Sequence, residues 1–367
     1  MLVREFDFDL PPELIAQEPS RDRTGARLLH LARVTGALTH AHISDLPSFL
    51  RAGDLVVAND TRVFPARLLG HRTPSGGAVE CLLVGRSAGR EGLERQEGQD
   101  GLEGLDGKTE QFWDALVHPG QKLKPGARMV FGDGALWGEV IGRGSFGRRL
   151  VRLWTEGGRS VDAAVDAVGH VPLPPYIKRP DDSPDRERYQ TVFADRRGSV
   201  AAPTAGLHFT RELLERLHAG GVETCSITLH VGYGTFQPVR VEEVEAHRLH
   251  PERYEISPAT ADAIARARTE QRRVIAVGTT TTRTLEAVAK ANDGAVVAGR
   301  GETDLFIYPG FTFRVIAGLL TNFHVPKSSL LMLVSAFAGV EAVRQAYRVA
   351  VEQRYRFYSY GDAMLIT

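Results

Sequence analysis

Residues Ala201–Phe236, AAPTAGLHFTRELLERLHAGGVETCSITLHVGYGTF, set out a loop, a helix and a strand in one run. The loop is Pro203-Thr204-Ala205-Gly206-Leu207-His208. Thr210 stands where a helix N-cap belongs. The helix behind it carries Leu213, Leu214 and Leu217, and Gly220-Gly221 closes it. A strand then runs up to His230, with Gly232 and Gly234 just beyond. Polar and glycine positions crowd the ends of apolar elements here, which is where α/β proteins put their sites. The stretch reads as the floor of an active site.

Outward from it the same alternation continues. A helix opens at Ser257-Pro258, and Val274–Val277 is a short buried strand followed by a Gly-Thr loop and a helix with Leu285, Val288 and Ala289 on one face. Leu305–Tyr308 and Phe313–Ile316 read as strands, Leu330–Ala338 as a buried helix, Glu341–Gln353 as an amphipathic one, and Ala363–Ile366 as a last strand. Near the N-terminus, Asp54–Ala58 reads as a buried strand that delivers Asn59-Asp60-Thr61-Arg62 to a loop.

Between these halves the pattern changes. Val63–Leu69, Ala78–Val84, Phe112–Val117, Arg128–Phe131, Leu136–Ile141 and Arg149–Trp154 are short apolar runs separated by glycines, as in a small β-barrel or sandwich. Ser87–Glu110 is acidic and glycine-rich, too polar to bury a core, and reads as a surface loop. The expected architecture is α/β: a mostly parallel sheet flanked by helices, built from residues 1–61 and 154–367, and interrupted by an all-β barrel over 62–153 with a disordered acidic loop near 87–110.

The 367 residues are 43% hydrophobic and 25% charged, which suits a globular chain with a sizeable core. Lys+Arg and Asp+Glu both number 45, so a polyanion could only be met by a local patch. The two cysteines lie far apart, outside any CxxC, which argues against a disulfide framework or a thiolate zinc site and for a reducing cytoplasm. MLVREFDFDL has acids where a signal peptide needs an apolar core, and no run of about 18 apolar residues occurs, so no membrane partner is expected.

Gly278-Thr279-Thr280-Thr281-Thr282-Arg283 follows a strand and opens a helix, where free N–H groups favour an anion. It lacks the ending of a P-loop, and plain threonine capping is the competing reading. Gly142-Arg143-Gly144-Ser145-Phe146-Gly147 matches a dinucleotide fingerprint by letter but lies between strands, so a hairpin turn explains it. His208 and His230 could each move protons or only hold loops. His40, His42, His247 and His250 find no Asp, Glu or Cys at metal-ligand spacing, so no metal is expected. Asn322-Phe323-His324 and Tyr360-Gly361-Asp362 mix polar and aromatic groups that could read and stack a base or could pack the core. Arg344, Arg348, Arg354 and Arg356 form one basic cluster and Arg266, Arg268, Arg272 and Arg273 another; each reads as RNA contact or as a solvated face.

FDFDLPPELIAQEP, NDTRVFPARL, GHVPLPPYIKR, AAPTAGLHFT, LHVGYGTFQPV, VIAVGTTTTRTLE, LLTNFHVPKS and YRFYSYGDAMLI, in this order from end to end, resemble the S-adenosylmethionine:tRNA ribosyltransferase-isomerases of queuosine biosynthesis. The resemblance implies transfer and isomerisation of the ribosyl part of S-adenosylmethionine onto 7-aminomethyl-7-deazaguanine at the wobble position of tRNA. Epoxyqueuosine-tRNA, adenine and methionine are then the products. It further implies S-adenosylmethionine as co-substrate with no other cofactor, tRNA as partner, no metal, and a cytoplasmic enzyme, expected to be a monomer. Such chemistry calls for proton carriers, for which His208 and His230 are the candidates, with Glu302 and Asp362 behind them. Pro203, Thr204, Gly206, Gly232, Gly234, Gly278, Thr279, Thr280 and Arg283 become candidates for the nucleoside and the methionine carboxylate. Asp60, Arg62, Asn322 and His324 become candidates for the tRNA. The competing readings are a transferase of phosphoribosyl groups or nucleosides between small molecules and a non-catalytic RNA-binding module.

Overall fold

The computed structural model describes residues 1–87, 108–236 and 239–367. Most of the proposed acidic loop over 87–110 therefore lies outside the described residues. The chain forms two compact units, one of residues 1–62, 174–180 and 187–367, the other of residues 63–173 and 181–186.

In chain order the strands are β1 (Arg27–Leu31), β2 (Leu38–His42), β3 (Leu55–Asn59), β4 (Thr61–Val63), β5 (Arg67–Thr73), β6 (Ala78–Ser87), β7 (Glu110–His118), β8 (Arg128–Phe131), β9 (Leu136–Arg143), β10 (Arg149–Trp154), β11 (Arg196–Ser199), β12 (Glu223–Leu229), β13 (Glu252–Ile256), β14 (Val274–Val277), β15 (Gly299–Thr303), β16 (Gly318–Asn322) and β17 (Ala363–Ile366). The helices are α1 (Leu46–Phe49), α2 (Val161–Val168), α3 (Asp185–Arg188), α4 (Arg211–Ala219), α5 (Pro258–Thr269), α6 (Thr279–Ala291), α7 (Ser329–Ala338) and α8 (Val340–Glu352).

The first unit is built on a sheet of order β15-β13-β12-β3-β14-β16-β17-β1-β2. Its centre, β12-β3-β14-β16, is parallel, as is β17 with β1, while the remaining pairings are antiparallel. Side-chain alternation splits the core cleanly. Leu55, Val57, Val274, Ala276, Leu319, Met364 and Ile366 join Ile264, Leu285, Met332 and Val343 of α5 to α8 on one face. Val56, Ala58, Ile275, Val277, Leu320, Ala363 and Leu365 join Leu46 of α1 and Leu213 and Leu217 of α4 on the other. The result is a three-layer α/β/α unit, as the strand and helix alternation implies.

The expected strands Leu305–Tyr308 and Phe313–Ile316 are not strands; the strands lie at Gly299–Thr303 and Gly318–Asn322 instead. The aromatic run packs ring on ring, with Phe313 edge-on to Phe311 and Phe337. The buried carboxylate of Glu286 accepts from the backbone N–H groups of Arg314, Val315 and Ile316, supplying the acceptors that a neighbouring strand would have given.

The second unit is a closed barrel of order β10-β7-β6-β5-β8-β9, antiparallel throughout. The apolar run Val63–Leu69 is divided by Pro65 between β4 and β5. The unit continues beyond Leu153 because α2 buries Val161, Ala164 and Val165, and Arg67 and His170 exchange backbone hydrogen bonds. Gly142–Gly147 ends β9 and turns into β10, the hairpin that its letters conceal.

Candidate active site

The four central strands all present their carboxyl ends on one edge, so Asn59, His230, Gly278 and Asn322 come to one side of the sheet. The connection from β3 to β12 carries α4 on one face, and that from β14 to β16 carries α6 on the other. Loops that depart to opposite faces from the adjacent strands β3 and β14 open a crevice at that edge, the usual ligand position in such sheets.

One end of the edge centres on His230. Its Nδ1 lies 2.9 Å from the Thr61 hydroxyl, whose own proton is directed to the Arg196 carbonyl 3.4 Å away. The tautomer that matches this direction carries the imidazole proton on Nδ1 and offers Nε2 as an acceptor, and Nε2 has no hydrogen-bond partner among the described residues. Burial, followed by the nearby Arg253 guanidinium, pushes its pKa down to about 4, so the ring is neutral near pH 7. Gly198 of β11 covers the ring: a Cβ there would sit 2.7 Å from Cε1.

The loop that follows His230 is held by an acid that sequence reasoning missed. Glu252 accepts from the Gly232 N–H at 2.9 Å and from Arg283 at 2.7 Å, and both side chains of this ion pair are buried. Arg283 also donates to the Leu305 carbonyl. It thus acts as a brace between α6 and β13, with its guanidinium nitrogens directed to Glu252 and to the carbonyls of Leu305 and Thr303. Gly234 packs against the His250 ring. Glu302 is exposed on β15, in register with Arg253, whose carbonyl in turn accepts from the His230 N–H.

Asn59 and Asp60 tie β3 to β12. Asn59 accepts from the Thr61 and Leu229 N–H groups and donates to the Leu229 carbonyl. Asp60 accepts from the Ser226 and Thr228 hydroxyls, and burial raises its pKa against those two hydrogen bonds. Arg62 is exposed and makes no ion pair among the described residues.

At the middle of the edge Gly278 takes φ of 90°, a left-handed turn suited to glycine, and opens α6 without a side-chain cap. The hydroxyls of Thr281, Thr282 and Thr284 return to carbonyls of their own helix. Those of Thr279 and Thr280 make no such bond, and the first N–H groups of α6 have no intrahelical acceptor.

The other end centres on His208, at the close of a single 3-10 turn that also carries Thr204 and Gly206. Asn322 gathers this region, donating to His208 Nε2 at 3.2 Å and to the Tyr358 carbonyl while accepting from the Thr204 hydroxyl at 2.9 Å. Burial, with Arg356 and Arg23 adding, pushes His208 down to about 4. Pro203 precedes the turn, and Gly206 leaves room for Thr191 and Phe193.

Two residues that resembled site residues by letter face inward. His324 bonds the Thr321 hydroxyl, and burial pushes it down to about 3. Asp362 accepts from the backbone N–H groups of Arg27 and Arg356, joining β1 to the chain before β17. Among the described residues no group of three His, Cys, Asp or Glu could hold a metal ion, and no single helix is long and apolar enough to cross a membrane.

Residues 3–366 match the model of a family described as queuosine biosynthesis protein. The chain is 51% identical to the S-adenosylmethionine:tRNA ribosyltransferase-isomerase of Symbiobacterium thermophilum, with 100% of each chain covered. It is 52% identical to the protein of the same name from Solibacter usitatus, again with 100% of each covered. A crystal structure of S-adenosylmethionine tRNA ribosyltransferase from Thermotoga maritima, 36% identical, covers 99% of this chain and 100% of its own with a TM-score of 0.53.

Proposed function

The chain belongs to the queuosine biosynthesis protein family, and from that premise we propose that it is an S-adenosylmethionine:tRNA ribosyltransferase-isomerase. It moves the ribosyl group of S-adenosylmethionine onto 7-aminomethyl-7-deazaguanine at the tRNA wobble position, giving epoxyqueuosine-tRNA, adenine and methionine. The observation that carries this reading is similarity along the whole chain to relatives bearing that name, at about half identity. No single motif would carry it.

The reaction makes demands that the carboxyl edge can meet. A sulfonium acidifies the adjoining 5′ carbon of the ribose, so a base in its unprotonated form must take a proton there. His230 is neutral near pH 7 and its Nε2 has no hydrogen-bond partner among the described residues, which makes it the better of the two histidines for that step. A pKa near 4 makes it a weak base, so position rather than basicity must favour the transfer. The methionine carboxylate is assigned to the N-terminus of α6, where the first N–H groups and the Thr279 and Thr280 hydroxyls are open. His208, locked by Asn322, is assigned to holding the Thr204–His208 turn. Asp60, Asn322, His324 and Asp362 serve as framework, and Arg62 is left as the exposed cation of this group for RNA.

The enzyme is further proposed to work in the cytoplasm as a monomer, with S-adenosylmethionine as co-substrate and no other cofactor. Incubation with S-adenosylmethionine and tRNA bearing the aminomethyl-deazaguanine should release adenine and methionine in equal amounts. Absence of adenine with correctly modified tRNA removes this function, and binding without turnover favours an RNA-binding module. Sedimentation at the 40.2 kDa of one chain supports the monomer, and a species of twice that mass overturns it.

A further inference from the structure

A small cavity of about 20 Å³ lies beside His208, walled by Arg23, Arg188, Ser359, Tyr360 and Gly361. Its two guanidinium groups are fixed in place. Arg23 donates to the Leu207 carbonyl at 3.0 Å and the Glu187 carbonyl at 3.1 Å, and Arg188 donates to the carbonyls of Arg21 and Ser20. These four contacts hold both side chains, but every acceptor is a neutral carbonyl. Neither arginine makes an ion pair with a carboxylate among the described residues. A third guanidinium, that of Arg356, comes no closer than 3.8 Å to Asp362, whose oxygens are already held by backbone N–H groups.

The group is also incompletely bonded. Arg188 Nε is buried with no hydrogen-bond partner, and beside it the ring of Tyr189 meets Tyr360 edge-on. Burial, then the proximity of Arg188, lowers the pKa of Arg23, with Glu187 and Tyr360 opposing the shift in part. His208 beside them is neutral and offers no compensation. Half-buried like charges held only by neutral carbonyls are costly, and a buried, unpartnered guanidinium N–H on a residue that lines a cavity is what an oxyanion would complete. The cavity has room for about one oxygen atom.

We propose that the Arg23–Arg188 pair is a phosphate-binding subsite, seating one non-bridging oxygen of an RNA backbone phosphate in the cavity while the rest of the phosphate stays in solvent. The proposal rests on the tRNA-modifying reading above and adds a contact point for the nucleic acid. RNA is favoured over the methionine carboxylate because the open N-terminus of α6 already provides for that group. The subsite joins the candidate active site through Leu207 and His208 of the same 3-10 turn.

The test is binding of tRNA bearing the aminomethyl-deazaguanine to wild type, Arg23→Gln, Arg188→Gln and Arg188→Lys, each at several salt concentrations between about 50 and 200 mM. Each glutamine variant should weaken binding by about tenfold or more and flatten the plot of log affinity against log salt by about 0.7–1. The KM for tRNA should rise in step, with the KM for S-adenosylmethionine unmoved. Arg188→Lys, which keeps the charge and loses the fork, should weaken binding with the slope retained. If a glutamine variant fails to melt cooperatively, the lysine variant and wild type carry the test.

Inorganic phosphate should compete with tRNA on wild type and lose that effect in Arg23→Gln. Phosphate that raises the melting temperature without competing with tRNA would make free phosphate the ligand and overturn the RNA assignment. A rise in the KM for S-adenosylmethionine alone would hand these cations to the methionine carboxylate and overturn it too, as would variants that bind tRNA like wild type. Adenine release by wild type, scored in parallel, separates the outcomes. If it is present while the variants bind normally, only the subsite fails; if it is absent, the proposed reaction fails while the binding series still reads the subsite.

Discussion

His230 and His208 stand at two ends of one sheet edge, and burial lowers both to about the same pKa. Their surroundings differ. His208 Nε2 is claimed by Asn322, and the ring is enclosed. His230 spends Nδ1 on Thr61, and its Nε2 has no hydrogen-bond partner among the described residues. A depressed pKa therefore does not by itself mark a proton carrier, because desolvation acts alike on a locked ring and on a poised one. What distinguishes them is the unspent nitrogen and the support behind it. Behind His230 stand the Arg283–Glu252 pair and Gly198; behind His208 stand Asn322 and two arginines held by backbone carbonyls.

The largest effect should come from the support on the His230 side. Arg283→Met leaves Glu252 charged and buried and should cost ~3–5 kcal/mol of stability, measured by urea unfolding. A cost below about 1 kcal/mol would show that the His230 loop does not depend on the pair. Acid comes next. His208 has a folded pKa below its unfolded value, so its contribution is complete above pH 6.5 and is lost as pH falls towards 4. That loss is roughly 3 kcal/mol at 1.36 kcal/mol per pH unit. His208→Gln should make the fall in stability between those values shallower, with His230 and His324 still contributing to it, and an unchanged slope would mean that His208 is not buried in its neutral form.

Turnover should then separate the two rings. His230→Gln should lower kcat by about 100-fold or more with melting temperature held, as loss of a proton-transfer group does. His208→Gln should lower it by less than about tenfold. Equal effects would erase the distinction. Gly198→Ala, whose methyl would collide with the imidazole, should cost about tenfold in kcat by shifting the ring, since small misplacements are expensive. Wild-type kcat in this variant would mean that ring placement is not limiting. The smallest effect is expected at Thr280→Val, a few-fold rise in the KM for S-adenosylmethionine, because the backbone N–H groups of α6 remain.

The layered fold was legible because central strands buried on both faces and helices with one apolar face leave strong periodic signals: Val274–Val277 and the leucines of α4 read directly as what they are. The barrel was legible from its short runs. The aromatic stretch Leu305–Ile316 misled because its residues favour strands, while the acceptors that replace strand pairing come from Glu286, in a different helix. In the site, Gly278 and the two histidines declared themselves beside glycine and helix starts. Glu252, Thr61, Arg23 and Arg188 did not, since their significance lies in partners 20 to 184 positions away or in lacking a partner, neither of which local pattern encodes. His324 and Asp362 showed the reverse: polar letters beside aromatics whose hydrogen bonds close internally.

The most direct test of the account is a crystal structure with S-adenosylmethionine bound. It should show the methionine carboxylate within hydrogen-bond distance of the Thr279 and Thr280 N–H groups and His230 Nε2 facing the 5′ carbon beside the sulfonium. A carboxylate seated on Arg23 and Arg188, with His208 Nε2 released from Asn322 and turned to the ribose, would contradict it.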